Sequence, residues 1–359
     1  MLKKLLLLSL FGLGAAFTAW AQGPLQKTYG IDFSPFQNGQ DPNSNTQISA
    51  AQILSRMQIV APYTKWIRSF SSTNGLENTP SVARQLQLHV AANAWISSNT
   101  TQNAAEIANL IAAANAGAVD VAIVGSEAIL RNDVTETQLL AYINQVRTAV
   151  PSNVLVTTAD VYGTFLAHPN LIAASDVIFA NFYPYWEGTS INNAVCALEQ
   201  QYQRLVTASG TKTVVVSETG WPTSGNAVGA AVPSAANASL FALLFLSWAN
   251  SNSIQSFYFE AFDEAWKAAY EGPQGAHWGL WDATGVIKPG MDVFFNSQTS
   301  TVSCNGQIPG PVGISLTYVP PYGSSDALEV QVTGVQPANY VIATYIKVFG
   351  NWWTKPTFA

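Results

Sequence analysis

Val119-Asp120-Val121-Ala122-Ile123-Val124-Gly125-Ser126-Glu127 is a short β-branched run that closes on glycine, serine and a lone carboxylate. It shows no polar alternation, so it reads as a strand buried on both faces, the pattern of a parallel sheet covered by helices. Helical patterns flank it. Residues 103–114 open with Asn103 and carry Glu106 three positions on, an N-cap signature, and Thr135 with Gln138 forms a capping-box pair ahead of Leu139, Leu140 and Ile143. Seven further apolar runs rich in Val, Ile, Phe and Tyr lie at 28–34, 66–72, 88–96, 154–162, 176–184, 213–220 and 254–263. Amphipathic stretches at 48–60, 191–208 and 235–249 stand between others of these runs. Eight strand–helix repeats predict an α/β fold, a (β/α)8 TIM barrel, with an open doubly wound sheet as the competitor. The absence of G-x-G-x-x-G after the first run weakens the dinucleotide-binding form of that competitor.

The 359 residues leave room for a barrel of roughly 250 residues and an appendage. Hydrophobic residues at 48% against charged residues at 10% supply enough apolar surface for a large core. The net charge of -6, without a basic cluster, argues against nucleic acid and suits a neutral ligand. Lys3 and Lys4, the apolar run from Leu5 to Leu13 and Ala19-Trp20-Ala21 form a secretory signal over residues 1–21, with a mature start near Gln22. An uncleaved anchor is the alternative, although the run is short for spanning. The protein is therefore expected to be secreted or periplasmic, off the membrane once cleaved, and monomeric. Residues 22–298 are assigned to the barrel, 299–312 to a Pro/Gly linker and 313–359 to a small all-β module, whole or incomplete, with strands at 314–319, 328–335 and 340–348. Trp352 and Trp353 in that module read as packing residues or as a sugar platform. Cys196 and Cys304 admit two readings, a disulfide in an exported protein or two separate buried thiols.

A parallel barrel collects its chemistry at the C-terminal ends of its strands. The fourth run ends on Glu127, and the seventh, Val215-Val216-Ser217-Glu218, on a second lone glutamate. A carboxylate just past a β-branched run is costly to bury unless it is satisfied. Helix capping or a structural ion pair would explain one such residue; two at matching ends are what glycoside cleavage requires, one to protonate the leaving oxygen and one to attack the anomeric carbon or activate water. Asp32 and Arg68, in the first two strands, read as a buried ion pair or as site residues. No metal or cofactor is expected: His89, His168 and His277 are scattered, no Cys/His spacing fits zinc, and neither a P-loop nor a Gly-x-Ser-x-Gly elbow is present.

The segments Val124-Gly125-Ser126-Glu127-Ala128-Ile129-Leu130-Arg131, Ser217-Glu218-Thr219-Gly220-Trp221-Pro222 and Phe259-Glu260-Ala261-Phe262-Asp263-Glu264-Ala265-Trp266-Lys267 resemble the signatures of glycoside hydrolase family 17, following its bacterial members over roughly residues 29–298. The resemblance implies a (β/α)8 barrel, β-1,3-glucan as the partner, and a retaining mechanism with Glu127 as acid/base and Glu218 as nucleophile. It also implies that Tyr183, Glu264 and Lys267 line the cleft. Tyr29, Trp221 and Trp266 are added as strand-end aromatics suited to a pyranose face. Ser126 stands where the family usually has Asn, so its contact with the sugar 2-hydroxyl is expected to be weaker or water-mediated. Two other activities are compatible with these residues: glucanosyl transfer through the same intermediate, and non-catalytic glucan binding.

Overall fold

The computed structural model describes residues 27–295, residues 300, 302 and 304, and the backbone of strands at 313–318, 329–333, 345–348 and 351–354. Eight parallel strands form one sheet in the spatial order β7-β6-β5-β4-β3-β2-β1-β8. They are β1 Thr28–Asp32, β2 Thr64–Arg68, β3 His89–Ala94, β4 Val121–Ser126, β5 Leu155–Val161, β6 Ile178–Asn181, β7 Val214–Glu218 and β8 Phe257–Tyr258. The ends of the sheet meet where Val216 bridges Ser256, its N–H donating to the Gln255 carbonyl at 3.1 Å, which closes the barrel. The expected fold is the one observed.

Strand alternation sorts the side chains into two cores. Val121 and Ile123 of β4, Phe179 of β6, Val215 of β7 and Phe257 of β8 face inward and fill the barrel. Their neighbours Ala122, Val124, Ala180, Val214 and Val216 face outward against the helices. Gly30 is required by that interior: a Cβ there would lie 2.4 Å from the Phe257 ring.

The helical ring comprises α1 Ala50–Val60, α2 Thr79–Gln85, α3 Thr100–Asn115, α4 Glu136–Ala149, α5 Tyr162–Ala167, α6 Pro169–Ala174, α7 Ile191–Ser209, α8 Ala235–Ser251 and α9 Ala268–Glu271. The Thr135/Gln138 capping box on α4 is present. The cap predicted at Asn103 is not. Asn99 caps α3 by accepting from the Gln102 N–H, while Asn103 lies a turn further on, buried, and closes the preceding loop by bonding both the N–H and the carbonyl of Ser97. An Asn-x-x-Glu spacing does not distinguish a cap from two residues buried on one face of a helix. Among the described residues no helix is long and apolar enough to cross a membrane.

Cys196 of α7 and Cys304 are joined in a disulfide, with 5.4 Å between their Cα atoms and 108 residues between them in sequence. The bond ties the segment after the barrel back onto the helical ring. Beyond it, β9 Gly313–Tyr318 pairs antiparallel with β10 Glu329–Thr333, and β11 Tyr345–Val348 with β12 Asn351–Thr354. Of the expected third strand at 340–348, residues 345–348 are described and are a strand, and Trp352 and Trp353 fall in a fourth strand that was not anticipated. Their side chains, the signal segment at 1–21 and the Gly/Pro stretch at 306–312 lie outside the described residues.

Candidate active site

Two local irregularities bring the glutamates into the barrel mouth. The β4/β5 register shifts between Ile123 and Ser126, and the β6/β7 register shifts between Ala180 and Asn181, the latter pairing with Glu218. Such bulges re-aim the side chains that follow. On β4 the backbone turns further: Gly125 has φ 81° and Glu127 φ 54°, left-handed values that a glutamate rarely adopts. The Glu127 N–H is secured to the Ala159 carbonyl at 2.7 Å.

Glu218 is buried and surrounded by donors. Arg68 Nη1 donates to its Oε1 at 2.5 Å, the Ser126 hydroxyl approaches the same oxygen at 3.4 Å, and the Tyr183 hydroxyl donates to Oε2 at 2.8 Å. Arg68, fully buried, also reaches Asp32 Oδ1 at 3.5 Å, the Ser217 carbonyl and Ser126 Oγ. One guanidinium thus faces two carboxylates and sits nearer to Glu218. Burial, followed by the charge of Glu218, drives the Asp32 carboxyl well above the usual range against the pull of Arg68. Burial and the Glu218 charge also push the Tyr183 phenol well up, so it remains a donor.

Glu127 has a different setting. Its Oε1 accepts from the Asn181 amide at 2.8 Å, and Asn181 in turn accepts from Ser217 Oγ at 2.6 Å. Burial and then the Glu218 charge raise Glu127 to about 7, outweighing the Asn181 hydrogen bond and the more distant Arg131. A carboxyl poised near neutrality beside a carboxylate held by an arginine is the division of labour that acid-and-nucleophile chemistry needs. If Glu127 supplies the proton, kcat/KM falls as pH rises through about 7. Asn181→Ala removes a bond that favours the anion, so the falling limb moves to higher pH. Initial-rate pH profiles of both proteins test this; identical limbs would separate Asn181 from the titration.

The two glutamates open into a cleft of about 450 Å³, within the range of small-molecule sites. A buried ion cluster forms its β8 side: Lys267 bonds Glu260 and lies 2.8 Å from Glu264, which also accepts from Ser34 Oγ. Burial is the largest influence on Glu264 and works to raise it, but the Lys267 charge together with hydrogen bonds from Lys267 and Ser34 outweighs it and holds the group down. Trp266 lines the cleft edge-on to Phe36 and Tyr270, and its buried indole N–H has no acceptor among the described residues.

A family model described as the BtgE/BtgC glycoside hydrolase domain matches residues 30–279. The chain belongs to this glycoside hydrolase family. The glucan 1,3-beta-glucosidase BGL2 of Candida albicans is 30% identical to the hydrolase over 264 residues, covering 67% of this chain and 86% of that one. The crystal structure of a glycoside hydrolase family 17 beta-1,3-glucanosyltransferase from Rhizomucor miehei superimposes with a TM-score of 0.66 at 31% identity, covering 74% of this chain and 97% of that one. An active-site mutant of the same Rhizomucor miehei enzyme, in complex with laminaritriose, gives 0.65 at 30% identity, covering 73% and 96%.

In the hydrolase, Ser126, Glu264, Trp266 and Lys267 line the same cleft as Glu127 and Glu218, and Tyr183 lies on Glu218. Two expected cleft residues lie elsewhere. Trp221 is 1% exposed, its ring against Tyr185 and Phe241 and its N–H on the Val232 carbonyl. It follows Glu218 closely, but the chain has already turned outward, so its bulk fills the outer core. Tyr29 opens β1 rather than ending it and stacks on Trp66 at the opposite mouth of the barrel. Ser126 is engaged by Arg68 and Glu218, so its hydroxyl belongs to the network around Glu218. The sequence left Arg68 undecided, and the structure places it on Glu218 as well as on Asp32. Asn181 falls near the end of the sixth apolar run and, like Trp95 and Glu271, was not assigned to the cleft. Glu271 lines the cleft and accepts from Trp278 Nε1 at 3.2 Å. The available signal for Arg68 and Asn181 was inward parity at a strand end.

Proposed function

We propose that the protein is an exported, retaining glycosidase that cleaves β-1,3-glucan, with Glu127 as acid/base and Glu218 as nucleophile. The observation that carries this reading is the contrast between the two carboxyls: Glu127 raised to about 7 by burial and its neighbour's charge, Glu218 held by Arg68 and Tyr183. The laminaritriose complex of the Rhizomucor miehei relative supports the substrate class, and the signal-like N-terminus supports export. We read the barrel at 22–298 as the catalytic unit and 313–359 as an accessory β module.

In the first step a Glu218 oxygen attacks the anomeric carbon while Glu127 gives its proton to the glycosidic oxygen. The C–O bond breaks, the reducing-end fragment leaves as an alcohol, and a glycosyl ester forms on Glu218. In the second step the Glu127 carboxylate takes a proton from water, whose oxygen attacks the same carbon and releases Glu218. The product keeps the β configuration.

Transfer to a sugar hydroxyl in place of water is the second reading, favoured by the glucanosyltransferase likeness. A time course on linear β-1,3-glucan oligosaccharides, with product sizing and anomer detection by proton NMR, tests both. Hydrolysis yields shorter β-anomers first; products longer than the substrate indicate transfer. Initial α-anomers, or no cleavage over hours, would overturn the proposal.

A further inference from the structure

Trp95, just past β3, and Arg131, in the turn after Glu127, both line the cleft and neither has a role in the chemistry above. Their contacts connect the acid/base to an aromatic wall. The Arg131 guanidinium lies over the Trp95 ring, 4.1 Å from its centroid. Its Nη2 donates to the Ile96 carbonyl at 3.0 Å, its Nη1 to the Ser126 carbonyl, and its Nε to Asp133 Oδ2 at 2.7 Å. The Arg131 backbone N–H bonds the Glu127 carbonyl at 2.9 Å. One side chain therefore fastens the strained turn that presents Glu127 to the strand end that presents Trp95.

The wall is also secured from below. Glu106 Oε2 accepts from the N–H groups of Trp95 at 3.0 Å and Ser72 at 2.6 Å, and Oε1 accepts from the hydroxyls of Ser71 at 2.5 Å and Thr73 at 2.6 Å. A buried carboxylate with four donors leaves the loops after β2 and β3 little freedom. With Arg131 covering one face of the half-buried indole, Trp95 is a rigid aromatic surface on a polar cleft, the kind of element that binds a ligand at low entropic cost.

We propose that Trp95 is a platform on which a sugar ring of the bound chain packs, and that Arg131 is a positioning residue coupling this platform to the acid/base turn. The inference rests on the glycosidase reading. Arg131 has a second, electrostatic consequence. Glu127 is faced by Glu218 from β7, Asp160 from β5, Tyr183 beyond β6 and Arg131 from its own turn, and Arg131 alone of these holds its proton affinity down by charge. Loss of that charge moves the alkaline limb of the rate profile to higher pH.

The test combines calorimetric binding of laminaripentaose to Glu218→Gln protein with pH–rate profiles in the Glu218 background. Trp95→Ala is expected to weaken binding by about tenfold or more, about 1.4 kcal/mol, and Trp95→Phe to retain most of it. Arg131→Met should weaken binding comparably and raise the alkaline limb. Arg131→Lys, which keeps the charge but not the fork, should leave the limb in place while lowering kcat/KM. Unchanged binding by Trp95→Ala overturns the platform, and an Arg131→Met limb that coincides with the parent's overturns the coupling. If the parent cleaves laminaripentaose and either of these results appears, this inference alone fails; if the parent neither cleaves nor binds it, the functional reading fails and the inference with it.

Discussion

Glu218→Ala lowers kcat on β-1,3-glucan by at least about four orders of magnitude, the scale seen when a residue acting as part of a catalytic unit is removed. Added azide then restores turnover and gives an α-glycosyl azide. Truncation at Glu218 leaves space on the face of the anomeric carbon opposite the leaving group. A small anion entering there attacks once and inverts, because no ester is available for a second displacement. Arg68 and the Tyr183 hydroxyl, which lie on the missing carboxylate, remain as donors for the incoming anion. Glu127→Ala behaves differently. With an activated aryl leaving group, which needs no protonation, the ester still forms on Glu218 and azide resolves it to a β-glycosyl azide. Product configuration by NMR reads the two roles independently of rate. An α-azide from Glu127→Ala would exchange the assignments, and undiminished glucan turnover by Glu218→Ala would remove Glu218 from the mechanism.

Arg68→Met destabilises the protein by about 3–5 kcal/mol, the usual consequence of removing one partner from a buried charge pair, and lowers the melting temperature by about 10 °C. Arg68 is the cation at the centre of a buried group holding Asp32 and Glu218, and methionine fills the space while stranding both carboxyls. Asp32 Oδ2 already lacks a partner among the described residues, so the group has no reserve of donors. Adding Asp32→Asn to Arg68→Met should recover part of the loss, since one of the two acids is then neutral. Calorimetry of the single and double variants decides the point; a single variant as stable as the parent would mean that Asp32 and Glu218 accommodate one another without the arginine, by sharing a proton.

The barrel was legible in the sequence because its eight strands are local apolar runs whose burial on both faces leaves a pattern within a few residues. Val121 to Val124 and Val214 to Val216 need no knowledge of their neighbours to be read as buried strands. Glu127 and Glu218 were legible for the same reason: a single acid at the end of such a run stands out. Trp221 and Tyr29 show where this reasoning stops. Both were assigned to the cleft because they are aromatic and near strand ends. Yet the direction of an aromatic side chain depends on turn geometry and on which end of the strand it occupies. A one-residue shift exchanges the two faces of a strand, and the bulges at Ile123/Ser126 and Ala180/Asn181 leave no compositional trace.

The amino-acid sequence alone therefore determined the fold class, the order of its elements and the two acids at the ends of β4 and β7, since each follows from local patterning of apolar and polar residues. The tertiary structure decided which groups surround those acids: Arg68 shared between Asp32 and Glu218, Asn181 on Glu127, and Cys196 joined to Cys304. These partners come from different strands and helices, 36 to 150 residues apart for the pairs with Arg68. Only closure of the barrel places them within hydrogen-bonding distance, where burial strengthens their mutual fields and raises Glu127 and Asp32 above the usual carboxyl range.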